Sequence, residues 1–140
     1  MGWNVNSLSD YKSQVKFINK LRGFQENVFI LCDTRLDSDS QRAFSKILGE
    51  GAYFNSFSSS QRGLTILIKD SLPAKEVKIE NIVKGNYSRL TFKVKDFTIL
   101  IKCIYAPNVD MTRGDVDNTS STFFKTVFND ENDSNFDIKT

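Results

Sequence analysis

V-F-I-L-C-D-T-R-L, residues Val28–Leu36, is the stretch around which the chain is organised. Five apolar residues, Val28 to Cys32, run without interruption into Asp33, Thr34 and Arg35. A short, wholly apolar run with β-branched and aromatic members reads as a strand buried on both faces. A carboxylate at the C-terminal end of such a strand stands at the rim of a sheet, where α/β proteins gather their ligands. Held there by a rigid backbone, Asp33 can meet residues from the ends of other strands. Asn4 and Asn6 near the start, and Tyr105 and Asn108 towards the far end, are the partners available to it.

Working outward, Trp3 and Val5 alternate with Asn4 and Asn6, which predicts a strand over Met1–Asn6. Ser7–Asp10 offers N-cap residues for a helix with the apolar stripe Tyr11, Val15, Ile18 and Leu21, stopped by Gly23. Beyond the central run, Asp37–Ser40 introduces a second helix with Phe44, Ile47 and Leu48 on its apolar face, ended by Gly49 or Gly51. Tyr53–Phe57 alternates as a short strand, and the Ser-rich loop Ser58–Arg62 leads into the strand Gly63–Lys69. Val77, Ile79 and Ile82 suggest a further strand. Tyr87–Val94 and Phe97–Tyr105, separated only by Lys95-Asp96, predict a β-hairpin. Val109–Ser121 is polar and turn-rich, and a helix with Phe123, Phe124, Val127 and Phe128 on one face follows it. The order β-α-β-α-β-β-β-β-β-α predicts an α/β fold, a two-layer β-sandwich of mainly antiparallel sheets flanked by helices. No repeat or domain boundary interrupts it.

The chain has 140 residues, one domain's worth, with 39% hydrophobic and 26% charged residues, which is ordinary for a globular protein with a real core. No apolar run approaches the ~20 residues of a membrane span, because Lys69, Lys93, Lys95 and Lys102 break the best ones. The N-terminus has no basic-then-apolar signal pattern. Cys32 and Cys103 both lie in apolar strands without metal-type spacing, and read as buried thiols of a reducing compartment. The absence of His excludes His-based catalysis and most zinc sites within these residues. Through Ala106 there are 16 Lys/Arg against 10 Asp/Glu, and from Pro107 onward 3 against 7, so the net +2 conceals a basic body and an acidic end. A basic body suits a phosphate-bearing partner, although so small a surplus also serves plain solubility.

The strand-end residues carry the chemistry. Asp33 can ligate Mg²⁺, which asks for one or two carboxylate oxygens plus water; it is equally placed to be a turn or cap residue. Asn4 and Asn6 project to one face of their strand, where amides can orient a phosphate, a metal ligand or simply the sheet edge. Tyr105 can give its hydroxyl to a phosphate oxygen, or sit as a core-rim tyrosine. Asn108 is an ordinary turn residue after Pro107. Ser60 and Arg62 can touch a nucleic-acid backbone, or belong to a solvated hairpin loop.

Taken in order, W-N-V-N-S-L (Trp3–Leu8), L-C-D-T-R-L (Leu31–Leu36), S-S-S-Q-R-G-L-T-I-L-I (Ser58–Ile68) and I-Y-A-P-N (Ile104–Asn108) form one succession. It resembles the endonuclease/exonuclease/phosphatase superfamily. Within that superfamily it is most similar to the endonuclease domain at the front of non-LTR (LINE-type) retrotransposon polyproteins. The pattern there is N-x-N-G-L, Q-E-T-H/R-L, R-G-V-A-I-L and I-Y-A-P-N, and the likeness runs from Trp3 to about Phe128. The resemblance implies Mg²⁺-dependent hydrolysis of a DNA phosphodiester, with a nick that primes reverse transcription. It further implies DNA as partner, no membrane, fusion to a reverse transcriptase in the parent protein, and an intracellular, nuclear place of action.

By the same resemblance, Asn4 matches the first active-site asparagine, Asn6 the neighbouring position that supports the metal, and Asp33 the position of a metal-binding glutamate. Tyr105 matches the tyrosine on the scissile phosphate and Asn108 the asparagine of its loop. Two departures stand out: Asp33 is one methylene shorter than the family's Glu, and Ser7 replaces a glycine. The family's later motifs, G-D-F/L-N and S-D-H, are absent. The chain therefore looks like the first part, residues 1–140, of such a domain, with the metal carboxylate and phosphate tyrosine but not the residues that activate water. On that view a second sheet must cover the inward faces of Gly63–Ile68, Tyr87–Val94 and Phe97–Tyr105, and if much of it lies beyond Thr140 an apolar patch is left exposed. Two other readings accompany this one: an inactive remnant with weak nucleic-acid binding, and a phosphatase of the superfamily acting on lipid or inositol phosphates.

Overall fold

Two aspartates set where the helices begin. Asp10 caps α1 (Tyr11–Leu21), its carboxylate accepting from the Ser13 N–H at 2.9 Å and from the Ser13 hydroxyl at 2.6 Å. Asp37 caps α2 (Ser38–Leu48) in a reciprocal box: its Oδ1 takes the Ser40 N–H at 2.8 Å, and Ser40 Oγ takes the Asp37 N–H at 2.9 Å. Such boxes satisfy two of the amide donors that a helix start leaves orphaned. Gly49, with a left-handed φ of 71°, ends α2 and donates to Ser45 O. The Ser40 backbone and hydroxyl hold the Asp37 carboxyl below its ordinary value of 3.8. A carboxyl depressed on folding adds stability above its unfolded value and loses it as pH falls through the folded one. Asp37→Ala should therefore be less stable than the unaltered chain near neutral pH, and the gap should narrow towards about pH 3. Urea midpoints at the two pH values check this; an unchanged gap would show that the cap acts without its charge.

The computed structural model describes residues 1–49, 51–106 and 126. Its strands are β1 (Gly2–Asn4), β2 (Val28–Cys32), β3 (Gly51–Asn55), β4 (Leu64–Ile68), β5 (Lys75–Val83), β6 (Tyr87–Val94) and β7 (Phe97–Ile104). They form a four-stranded sheet in the order β1-β2-β4-β3 and a three-stranded meander β5-β6-β7. Among the described residues only β1 and β2 run parallel; every other pairing is antiparallel. Strict alternation divides β2 between two cores. Phe29 and Leu31 join Phe17, Ile18 and Leu21 of α1 and Phe44 of α2. Val28 and Ile30 turn the other way, onto a core of Leu64, Ile66 and Ile68 from β4 with Leu90, Phe92 and Cys103 from the meander. The layers are thus helices, first sheet, second sheet, an α/β arrangement with two mainly antiparallel sheets. Among the described residues the helices lie on one side of the pair.

Four expectations shift. The buried face of α1 carries Gln14, Phe17, Ile18 and Leu21, while Tyr11, at the head of the expected stripe, is exposed. β3 lies two residues earlier than the alternation of Tyr53–Phe57 predicts. The Asn55 amide is drawn inside to bond the meander, while Phe57 leaves the sheet and lies under the Arg62 guanidinium at 4.6 Å. The first strand stops at Asn4, because left-handed φ values of 50° at Asn6 and 85° at Ser7 turn the chain out of the sheet. The condition for an exposed apolar patch is not met at these strands: β4 belongs to one sheet and β6 and β7 to the other, and their apolar faces meet within the described residues. The helix expected around 123–128, of which Thr126 alone is described, and Asn108 lie outside the described residues.

Candidate functional site

The parallel pairing of Trp3 with Leu31 and Asn4 with Cys32 carries β1 and β2 out of the sheet side by side. Main-chain bonds continue past the strands: the Val5 N–H donates to Cys32 O at 3.0 Å, the Ser7 N–H to Asp33 O at 2.8 Å and the Leu8 N–H to Thr34 O at 2.9 Å. On the other flank, the Thr34 N–H donates to Gly63 O at 3.3 Å and the Arg35 N–H to Arg62 O at 2.8 Å. Three loops are laced together at one sheet end. Five of their non-glycine residues are left-handed: Asn6, Ser7, Asp33, Arg35 and Arg62. Asn and Asp tolerate that region well; Ser and Arg do so less readily, and such outliers gather at functional sites.

Asp33, Arg35, Ser60, Gln61, Arg62 and Tyr105 line a pocket of about 280 Å³ at this edge. Asp33 is nearly buried, and Arg35 grips it with a two-pronged fork, Nε to Oδ1 at 2.9 Å and Nη2 to Oδ2 at 2.8 Å. The same Nη2 donates to Asn6 Oδ1 at 3.2 Å. The hydrogen bond to Asp33 raises the Arg35 pKa above its ordinary value, so the guanidinium is always charged. Arg62 is held by Asn86 Oδ1 at 3.4 Å and by the face of Phe57. Buried Asn86 also fixes the end of β7, its Nδ2 donating to Tyr105 O at 2.7 Å while its own carbonyl takes the Tyr105 N–H at 2.7 Å. Ser58 Oγ accepts the N–H groups of Ser60 and Gln61, which orders the serine loop.

The structure therefore brings Asp33, Ser60, Arg62 and Tyr105 to one pocket. Asn6 joins them through Arg35. Asn4 does not line this pocket: its Oδ1 takes the Asn6 N–H at 3.1 Å, and it borders a neighbouring depression with Trp3, Ser7, Lys16 and Lys20. Arg35, Gln61 and Asn86 are site residues that the sequence reading passed over. A signal existed for Arg35, which stands two residues from Asp33 in a loop with no other charge of its sign. Burial, aided by the Asp33 carboxylate, raises the Cys32 thiol, and burial pushes Cys103 up to about 12. Cys103 is buried in the core, whereas Cys32, expected to be buried, is only half-buried.

The donor set is oxygen only: two carboxylate oxygens of Asp33 and Asn6 Oδ1 converge on one positive group, the Arg35 guanidinium. That convergence on a stand-in cation fits a hard divalent ion such as Mg²⁺ in kind, with water completing its shell. No cluster of three or more His, Cys, Asp or Glu able to hold a metal occurs among the described residues. A metal ion here would thus rest on one carboxylate and would compete with Arg35. Among the described residues no helix is long and apolar enough to cross a membrane. Comparison with protein-family profiles and with curated proteins finds no match to this chain.

Proposed function

We propose that the chain is part of a metal-dependent phosphodiesterase, a DNA-nicking endonuclease domain of the retrotransposon type within the endonuclease/exonuclease/phosphatase fold. One observation supports this reading above the others. A carboxylate, two guanidinium groups, a phenol and a hydroxyl, from three separate stretches of chain, face one pocket at a strand-end rim. That is a set for gripping a phosphodiester. Arg62, pinned by Asn86 and Phe57, is ready to pair with a phosphate oxygen, and a fork held in advance loses little freedom on binding. The Tyr105 hydroxyl and Ser60 can donate to further oxygens. Asp33 and Asn6 would hold Mg²⁺, which would supply charge stabilisation at the phosphoryl group. The chain's own residues bind and orient; water activation belongs to the absent G-D-x-N and S-D-H motifs.

The test has two arms. Fluorescence anisotropy with a short DNA duplex should show that Arg62→Ala weakens binding about tenfold, close to 1.4 kcal/mol. In a polypeptide extended to include the water-activating motifs, Asp33→Ala should slow Mg²⁺-dependent nicking of supercoiled plasmid by about 10²–10³-fold. Unchanged nicking would move the metal elsewhere. The engagement of both Asp33 oxygens by Arg35 favours a second reading, a remnant that binds nucleic acid without cleaving it. An extended chain that binds DNA through Arg62 but never nicks would establish that one.

A further inference from the structure

We propose that Arg35 gates the cation site: it occupies the oxygens a divalent cation needs and gives them up when a phosphodiester draws it away. Metal and nucleic acid then bind together rather than independently. This deepens the phosphodiester reading of the pocket and rests on it.

The contacts set up the competition. The Arg35 fork covers both Asp33 oxygens and adds Asn6 Oδ1, so the guanidinium and a metal ion cannot share these atoms. A positive charge in that place also repels a second one. The two partners differ in freedom. The Asp33 side chain is 9% exposed, and its backbone carbonyl is tied to the Ser7 N–H. The Arg35 side chain is 34% exposed and opens onto the pocket that Arg62 and Tyr105 share. Arginine is therefore the member that moves. The two non-bridging oxygens of a phosphate diester accept the guanidinium fork as the two oxygens of a carboxylate do, so the guanidinium exchanges one bidentate anion for another. Coupling of this kind is reciprocal: whatever DNA adds to metal affinity, the metal adds to DNA affinity.

Arg35→Asn is the sharpest variant, because asparagine accepts the left-handed φ of 51° at this position. Arg35→Gln removes the same charge with a longer side chain, and agreement between the two sets aside an effect on folding. Mg²⁺ is titrated into the whole chain, alone and with a saturating non-cleavable phosphorothioate DNA duplex. The protein amide signals of residues 33–35 are followed in ¹⁵N spectra. For the unaltered chain, the duplex should tighten Mg²⁺ binding about tenfold. Both variants should bind Mg²⁺ about tenfold more tightly than the unaltered chain without DNA, with no further gain when the duplex is added. Equal Mg²⁺ affinity in all three chains overturns the gate. If Arg62→Ala still weakens duplex binding in that case, the phosphodiester reading survives it. If Arg62→Ala and Asp33→Asn both leave duplex and Mg²⁺ binding unchanged, the reading and the gate fall together.

Discussion

Replacing Gly63 by alanine should destabilise the fold by about 2–4 kcal/mol and disorganise the pocket with it. Gly63 holds a φ of 117°, in a region that side-chain-bearing residues rarely enter. An added Cβ would lie 2.7 Å from Thr34 Oγ1 and 3.2 Å from the Arg35 nitrogen. Neither neighbour can step aside cheaply. Thr34 is fully buried and its hydroxyl accepts from Thr65 Oγ1 at 3.2 Å, while the Arg35 N–H is committed to Arg62 O. Any relief moves the loop that carries Asp33 and Arg35. Urea unfolding measures the loss. Adding Thr34→Ala should recover only part of it, because the backbone strain remains when the hydroxyl is gone. A loss below about 1 kcal/mol would mean the loops are laced more loosely than their hydrogen bonds indicate.

Asn55→Leu should cost a similar amount, about 2–4 kcal/mol, for a different reason. Leucine has nearly the same size, so packing is not at stake. The buried Asn55 amide nitrogen reaches Val83 O at 3.0 Å, Tyr87 O at 3.0 Å and Ser88 Oγ at 2.8 Å. Its carbonyl takes the Gly85 N–H at 2.9 Å. One side chain on the first sheet thus satisfies the turn between β5 and β6 on the second. Leucine would strip the Gly85 N–H of this acceptor, while Val83 O keeps the Asn86 N–H and the Ser88 hydroxyl keeps Asn81 Oδ1; a buried group left without a partner costs about 1–3 kcal/mol. Ser88→Ala removes one partner only and should cost about 1 kcal/mol. Because Asn86 in that turn holds Arg62 and Tyr105, Asn55→Leu should also weaken the duplex binding proposed for the pocket. A stable Asn55→Leu protein with unaltered binding would disconnect the turn from the site.

The contrast between Asp33 and Arg35 shows what a sequence of this kind discloses. The place of Asp33 was legible, because an uninterrupted apolar run has to be a buried strand and its next residue has to emerge at the rim. Tyr105 was legible for the same reason at the end of β7, and Asp10 and Asp37 announced their helices by cap chemistry. Arg35 was not legible as a partner. Which way its side chain goes depends on left-handed backbone at both Asp33 and Arg35, and an arginine gives no sign of that. Asn55 was missed because the apolar alternation of Tyr53–Phe57 can be read in more than one place. Only the far-off carbonyls of Val83 and Tyr87 decide that the amide, not Phe57, belongs inside. Asn4 and Asn6 share a strand pattern and both border the neighbouring depression, yet with the turn at Asn6 it is the Asn6 side chain that accepts from Arg35.

All five residues of β4 are buried, with Leu67 turned into the helix-side core and Leu64, Ile66 and Ile68 into the core between the sheets. It is a party wall. Neither room can be opened without baring the other, so helices, first sheet and meander melt as one cooperative unit rather than in stages. Gly63, the residue just before the wall, anchors the loop of Asp33 and Arg35 to it. The integrity of the pocket and global stability are then one equilibrium: every molecule that has shed its helical layer has also lost its pocket, and no half-folded form keeps it.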